Sequence, residues 1–421
     1  MAEDTQKDSK SALVPKRRFP DFRDALGWTP VSLREASVPV TERVGDRKLT
    51  PVSISAGVGF VPQTEKFGRD ISGNQYPLYT LVSDGDFVYN KGNSLKFPQG
   101  CVYLLQNLGQ VAAPNVFICF RLKVGYSNGF FQNCFESNFH GEQLKKHITS
   151  GARSNGLLNI SKENFFGVEI PTPSLAEQKR IADCLSSLDE LIAAQVRKVK
   201  ALKIHKIGLI EQLFPREGQT HPRLRLPEFR DAEAWLANTL GNLVEIRSGN
   251  SPSHYELVQD GKYPFVKVED LNNCETYQLK AREYSNDPDG LVPSSSVIFP
   301  KRGAAIALNK VRLSGRELLM DTNMMALTPN AGYRADFLFH YLSQIGLNRI
   351  ADNSTIPQIN NKHIIPFRVR VPLPTEQHRI ANFLTSLDDL IAAQTLELDA
   401  VKAHKKGLMQ QLLPSAEAIE A

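Results

Sequence analysis

Residues 177–215 read EQKRIADCLSSLDELIAAQVRKVKALKIHKIGLIEQLFP, and residues 376–414 read EQHRIANFLTSLDDLIAAQTLELDAVKAHKKGLMQQLLP. The two stretches align at an offset of 199 without a gap, and 23 of the 39 positions are identical. A weaker match opens each half. Phe19-Pro20-Asp21-Phe22-Arg23-Asp24-Ala25 with Trp28 parallels Leu226-Pro227-Glu228-Phe229-Arg230-Asp231-Ala232 with Trp235. A period near 200 residues is too long for a solenoid repeat and indicates domain duplication. The chain therefore reads as two copies of one unit, each a variable globular segment followed by a near-constant helical one.

The helical segment carries a heptad seam. Ile181, Leu185, Leu188, Ile192, Gln195, Val199, Leu202, Lys206, Leu209 and Leu213 alternate four and three apart. Ile380, Leu384, Leu387, Ile391, Gln394, Leu398, Val401, Lys405, Leu408 and Leu412 repeat that register. Sustained 3.5-residue periodicity is the mark of a coiled coil. Pro173-Ser174 and Pro374-Thr375 mark the starts, with Glu177 and Glu376 in the first turn, where a carboxylate suits the positive helix end. Pro215 and Pro414 mark the stops. Roughly 33 helical residues at about 1.5 Å each give a rod of roughly 50 Å. The polar seam pairs, Gln195 with Gln394 and Lys206 with Lys405, weaken the seam in matching places, as register-setting residues do. The natural partner of each helix is the other copy, and antiparallel pairing would put one globular domain at each end. The expected fold is thus α+β. Two mixed α/β domains are separated by two long helices in an antiparallel intramolecular coiled coil with pseudo-twofold duplication.

The boundaries follow from these marks. A disordered tail is expected at 1–18, with the first globular domain at 19–172 and the first helical region at 173–215. After a linker at 216–224 come the second domain at 225–371, the second helical region at 372–414 and a tail at 415–421. Both globular segments alternate β-branched and aromatic runs with Gly, Pro and Asn turns, including 86–90, 116–120 and 296–299. Helices are expected near 141–150 and 335–345. Tyr89-Asn90-Lys91 parallels Phe299-Pro300-Lys301, although the halves otherwise differ widely.

Charge within the globular halves points to a polyanion. From Phe87 to Phe135 there is no Asp or Glu, while Lys91, Lys96, Arg121 and Lys123 are present. From Phe299 to Arg316 the cations are Lys301, Arg302, Lys310, Arg312 and Arg316, again without an acid. Acid-free basic loops suit phosphate, and interleaved amides such as Asn90, Asn93 and Asn309 suit adenine edges. The candidate DNA-binding set is Lys91, Asn93, Ser94, Lys96, Arg153 and Asn155 in the first half. In the second half it is Lys301, Arg302, Asn309, Lys310, Arg312, Thr355, Gln358 and Asn360.

The remaining features are mostly exclusions. The chain has 421 residues, 41% hydrophobic and 23% charged, with 50 Lys+Arg against 45 Asp+Glu. That is ample for several cores and mildly basic. Five scattered cysteines without C-x-x-C fit neither a disulfide scaffold nor a zinc ribbon, and fit reduced cytoplasm. No apolar run reaches a membrane-span length, and the polar N-terminus lacks a signal-peptide pattern. No G-x-x-x-x-G-K-[ST] phosphate loop and no Asn/Asp-Pro-Pro-Tyr/Phe methyltransferase tetrapeptide occurs. Cys134, His140 and His147 lack metal-ligand spacing, and no nucleophilic or paired-carboxylate site is legible.

The duplicated motifs resemble those of the specificity subunit, HsdS, of type I restriction–modification systems. The resemblance rests on the F/L-P-x-F-R-D-A entry at 19–25 and 226–232 and the variable segment. It also rests on the proline-E-Q-x-R-I-A helix entry at 173–182 and 374–381, the L-D-x-L-I-A-A-Q block at 188–195 and 387–394, and the K-x-H-K-x-G-L exit at 203–209 and 402–408. It covers the chain after its N-terminal extension. It implies target-recognition domains that each read half of a bipartite, asymmetric site in double-stranded DNA. It implies helices that pair antiparallel, set the spacer and dock two methyltransferase subunits, with two restriction subunits joining in the full complex. The chain itself would be non-catalytic, cytoplasmic and without cofactor or metal. S-adenosylmethionine, ATP and Mg would sit on the partners, which supply adenine-N6 methylation and DNA cleavage. Two alternatives share these residues: an orphan specificity subunit, or a coiled-coil interaction scaffold without its own DNA target.

Overall fold

Both repeated stretches are helical for 39 residues, Leu175–Leu213 and Pro374–Leu412. A computed structural model describes residues 13–92, 96–148 and 157–415 of the chain. The helices are longer than the seam count implied because the first turn, ahead of Ile181 and Ile380, is already helical. At about 1.5 Å per residue each has a contour of about 58 Å. The entry motif explains the early start. Gln178 Nε2 donates to Pro173 O and Gln377 Nε2 to Pro372 O, both at 3.0 Å, so each amide folds back over the preceding proline.

The chain divides into two units that do not follow its linear order. One comprises Met1–Ala194 with Leu398–Ala421, and the other comprises Gln195–Glu397. Each takes the front of one long helix and the back of the other. Antiparallel pairing within each unit is the reason. In the second unit Gln195 Nε2 donates to Gln394 Oε1 at 3.0 Å and Glu397 Oε2 at 3.1 Å, whereas Lys206, further along its helix, pairs with Asp388, earlier in the other. In the first unit Lys405 Nζ lies 2.7 Å from Asp189 and 3.1 Å from Glu136. The two helical ion pairs are the same pair in duplicate. Among the apolar seam residues, Ile181, Leu185, Val199, Leu213, Ile380, Leu384, Ile391, Leu398 and Leu412 are buried. Leu188, Ile192, Leu202, Leu209, Leu387, Val401 and Leu408 are half-buried.

Each unit packs helix ends into an aromatic core. In the first, Ile181, Ala182, Leu185 and Leu413 join Trp28, Phe87, Phe120, Phe130 and Phe165. In the second, Leu213, Phe214, Ile380, Ala381 and Leu384 join Trp235, Phe299 and Phe337. Each fully buried Leu, Ile or Phe contributes about 1.5–3 kcal/mol of gross burial, which ties helix and domain into one folding unit.

A common antiparallel sheet underlies both domains. In the first its strand order is Ser37–Pro39, Ile118–Leu122, Asp86–Asn90, Cys101–Leu104. In the second it is Val244–Ser248, Met324–Pro329, Val297–Pro300, Arg312–Ser314, with Tyr277–Gln278 added in parallel at the edge. Asp86–Asn90 and Val297–Pro300 occupy the same place and are buried throughout, the first with Asp86 and Asn90 flanking the apolar Phe87, Val88 and Tyr89. Around this shared core the domains diverge. The first adds a four-stranded sheet, Gly59–Pro62, Thr50–Ser55, Gln110–Ala113, Thr80–Ser83, and the second a three-stranded one, Glu283–Ser285, Tyr263–Val266, Leu319–Met320. A two-stranded ribbon ties the entry of each domain to the strand before its long helix, Thr29–Ser32 with Glu169–Thr172 and Leu236–Thr239 with Arg368–Val371.

A buried clasp secures that junction. Arg18 donates Nε to Glu177 Oε1 at 2.8 Å and Nη1 to Ala25 O at 2.7 Å. Arg225 donates Nε to Glu376 Oε1 at 2.8 Å, Nη2 to Glu376 Oε2 at 2.7 Å and Nη1 to Ala232 O at 2.6 Å. Both carboxylates are 1% exposed. Side-chain hydrogen bonding to the glutamate raises each guanidinium above its ordinary value, against the opposing effect of burial. The repeated entry motif therefore begins one residue earlier than its apolar pattern shows, at the arginine.

Candidate nucleic-acid interface

In the second domain the buried strand Val297–Pro300 ends and delivers Lys301, Arg302 and Gly303 to the surface. A distant loop returns to meet them. Ile359 N donates to Lys301 O at 2.9 Å, Gly303 N donates to Pro357 O at 3.0 Å, and Arg302 pairs with Gln358 as a β-bridge. The Arg302 guanidinium reaches Gln358 Oε1 at 3.4 Å. Gly303 has φ +78°, a conformation that L side chains rarely adopt, so the turn at the strand's end favours glycine. Asp352 closes the returning loop. Its Oδ1 accepts from Gln358 N at 2.9 Å and Ser354 Oγ at 2.6 Å, and these bonds hold its carboxyl below the ordinary value, Ser354 contributing most. The closed loop presents Thr355 and Ile356 at its tip, with Ile356 60% exposed. Asn360 follows as the N-cap of the short helix Asn361–Ile364, and its N donates to His363 Nδ1 at 3.2 Å. Two basic and polar loops far apart in sequence thus form one ribbon.

The first domain repeats the base of this ribbon at the same strand end. Leu158 N donates to Lys91 O at 2.8 Å, and Gly92 pairs with Leu157. Lys96 is exposed, with its ammonium 5.5 Å from the Phe97 ring centroid. Asn93, Ser94, Arg153 and Asn155 lie outside the described residues.

Several basic and amide residues of these stretches are engaged by neighbouring groups of the fold. Arg312 donates to Cys274 O at 2.7 Å, Val311 O at 2.7 Å and Leu271 O at 2.9 Å, which uses its fork on backbone carbonyls. Asn309, at φ +49°, donates to Ser343 O at 2.8 Å and accepts from Leu347 N at 3.0 Å. Lys310 is held by Asn272 Oδ1 at 2.6 Å. Asn90 is buried, donating to Ile54 O and accepting from Gly92 N, both at 2.7 Å. Arg121 pairs with Asp86 at 2.6 Å, an acid one residue before the acid-free stretch, and Lys123 donates to Glu35 O. Sequence identifies a cation but not whether a carbonyl or carboxylate already holds it. The surface ribbon retains Lys91, Lys301, Arg302, Thr355, Gln358 and Asn360. Lys301 is held below the ordinary lysine value by burial and then by Arg302, a repulsion that a bound phosphate would relieve.

An outer strand end that presents cations beside amides, hydroxyls and an exposed aliphatic tip carries the chemistry of duplex recognition. Cations meet phosphate, amides read base edges and apolar groups meet thymine methyls. A family model for the type I restriction modification DNA specificity domain matches residues 83–203 and 232–403. The chain belongs to the type I restriction–modification DNA specificity family. Both matched segments join a recognition domain to its long helix, so the family unit is the one duplicated here. The chain is 26% identical over 300 residues to the MjaVIII specificity subunit of Methanocaldococcus jannaschii, covering 65% of this chain and 68% of that one. It is 25% identical over 236 residues to the EcoR124I/EcoR124II specificity subunit of Escherichia coli, covering 52% and 54%. The specificity-subunit structure from M. genitalium superposes with TM-score 0.58 at 16% identity, over 96% of this chain and 99% of that one. A chain from a type I restriction–modification assembly does so with TM-score 0.57 at 20% identity, over 95% and 98%. Two mixed α/β domains and two long helices are the fold they share with this chain. Among the described residues no helix is long and apolar enough to cross a membrane.

Proposed function

We propose that this chain is the non-catalytic DNA-reading subunit of a type I restriction–modification complex. Each domain reads one half of a bipartite, asymmetric target. The observation that carries this reading is the recurrence of one surface ribbon, at one strand end, with different residues in the two domains. A shared frame with unlike faces suits unlike half-sites. The paired helices act as the spacer between the readers and as the docking surface for two methyltransferase subunits. Apolar side chains outside the seam support the docking role: Leu191 and Leu390 are matched positions, 49% and 44% exposed, and Ile204 and Ile207 are each 59% exposed. Restriction subunits complete the cleaving complex. S-adenosylmethionine, ATP and Mg belong to those partners, and the complex works in the cytoplasm.

The methyltransferase needs its adenine outside the stack, so base flipping falls to that partner. This chain supplies position: phosphate contacts set affinity, and base contacts discriminate by about 1–3 kcal/mol per bidentate pair. The test is methyl transfer from labelled S-adenosylmethionine to random-sequence duplex, with this chain alone, its methyltransferase alone and both together. Sequence-selective methylation only in the mixture is expected. Methylation by this chain alone would overturn the assignment, as would identical selectivity without it.

A further inference from the structure

Duplication makes one departure from symmetry visible. Strand Arg368–Val371 pairs with Leu236–Thr239 in the register that Glu169–Thr172 keeps with Thr29–Ser32. Where the second unit has Arg368 and Arg370, the first has Glu169 and Pro171. Past the helix, Pro215 is followed by Arg216, but Pro414 by Ser415. Pairing, register and helix exit persist without these three arginines, so the fold does not require them.

Within the second unit they converge with Arg349 on one cleft of about 710 Å³ that Tyr341 and Phe367 also line. Arg216 and Arg368 are exposed, and neither guanidinium has a partner among the described residues. Arg349 pairs with Glu217 at 2.5 Å, and Arg370 donates to Trp235 O at 3.3 Å. Four guanidinium groups against one carboxylate leave this concave site with an excess of positive charge that an anion would neutralise. Their planar forks match phosphate oxygens in bidentate geometry. A tetrahedral phosphate can accept from several forks at once, more than a peptide carboxylate can.

We infer that this cleft is a phosphate-binding site peculiar to the second unit. The phosphate has two possible sources. Arg349 stands three residues before Asp352, the residue that closes the recognition loop, so backbone phosphate flanking the second half-site is one source; that case rests on the DNA-reading assignment above. A free nucleoside di- or triphosphate is the other and is independent of it.

The test uses the full chain carrying R216Q/R368Q, with R69Q/K48Q as a charge-matched surface control. Non-target duplex is titrated across a salt series, and pyrophosphate is titrated by calorimetry. The expected result for R216Q/R368Q is a salt slope shallower by about two for duplex, or a pyrophosphate affinity at least tenfold weaker, with the control retaining wild-type behaviour. A duplex effect assigns the site to DNA backbone. A pyrophosphate effect without a duplex effect assigns it to a free nucleotide and survives failure of the DNA reading. Wild-type behaviour of R216Q/R368Q with both probes would overturn the inference, as would equal losses in the control.

Discussion

Arg302 and Gln358 face each other across a bridge that closes over 50 residues of chain, and that pairing is what makes them one surface. Replacing both with alanine is expected to cost about 1–3 kcal/mol in target binding and to relax preference in the second half-site alone. Competition binding against duplexes altered in one half at a time checks this. Buried histidines give each unit a pH response. Burial lowers His140 to about 4, and burial, followed by Lys206, lowers His340 to about 3, against an ordinary 6.5. Both folded values are depressed, so the neutral rings' contribution is whole above about 6.5 and is lost as pH falls through that value toward the folded ones. From pH 7 to pH 5 each histidine should withdraw about 2 kcal/mol of stability. Denaturant melts at the two pH values should show the loss, and H140Q or H340Q should flatten it. An unchanged pH dependence in both variants would refute this cause. None of these pairings is visible in sequence. Lys301 and Arg312 look alike in a charge count, yet one reaches the surface ribbon and the other is taken up by carbonyls.

At the scale of elements, the long helices were legible because their signal is local and periodic. Every apolar seam residue from Ile181 to Leu412 is buried or half-buried, whereas Leu396, off the seam, is 72% exposed. What periodicity could not show was the partner of each seam lysine. Lys206 and Lys405 look like weak points in a seam, but each meets an aspartate of the repeated L-D-x-L block, Asp388 and Asp189. Burial raises Asp388 above the ordinary carboxylate value, with Lys206 opposing it, so the charged pair holds only while the lysine is present. D388A, which leaves Lys206 unpaired, should cost about 3 kcal/mol, and K206M/D388L should recover most of it. Urea unfolding of the three chains decides this. Equal losses in single and double variants would show that the pair does not act as a unit. The clasp arginines escaped notice for a different reason: Arg18 and Arg225 stand just outside an entry motif recognised by its apolar residues.

At the scale of the whole molecule, duplication was read directly from the repeat and antiparallel pairing from the shared seam, but where each helix divides between the units depends on contacts distant in sequence. If the paired helices are the spacer, inserting four residues in one should lengthen it by about 6 Å, near two base pairs of duplex. The preferred spacer should then change while both half-sites stay the same; an unchanged spacer would refute the ruler. The proposed function requires that the two unlike domains read independently. Its most direct test is the methylated motif in cells carrying the cognate methyltransferase, read genome-wide before and after residues 19–172 are exchanged for another recognition domain of the family. A new first half-site with the same second half-site and the same spacer is expected. A motif changed in both halves, or in neither, would contradict it.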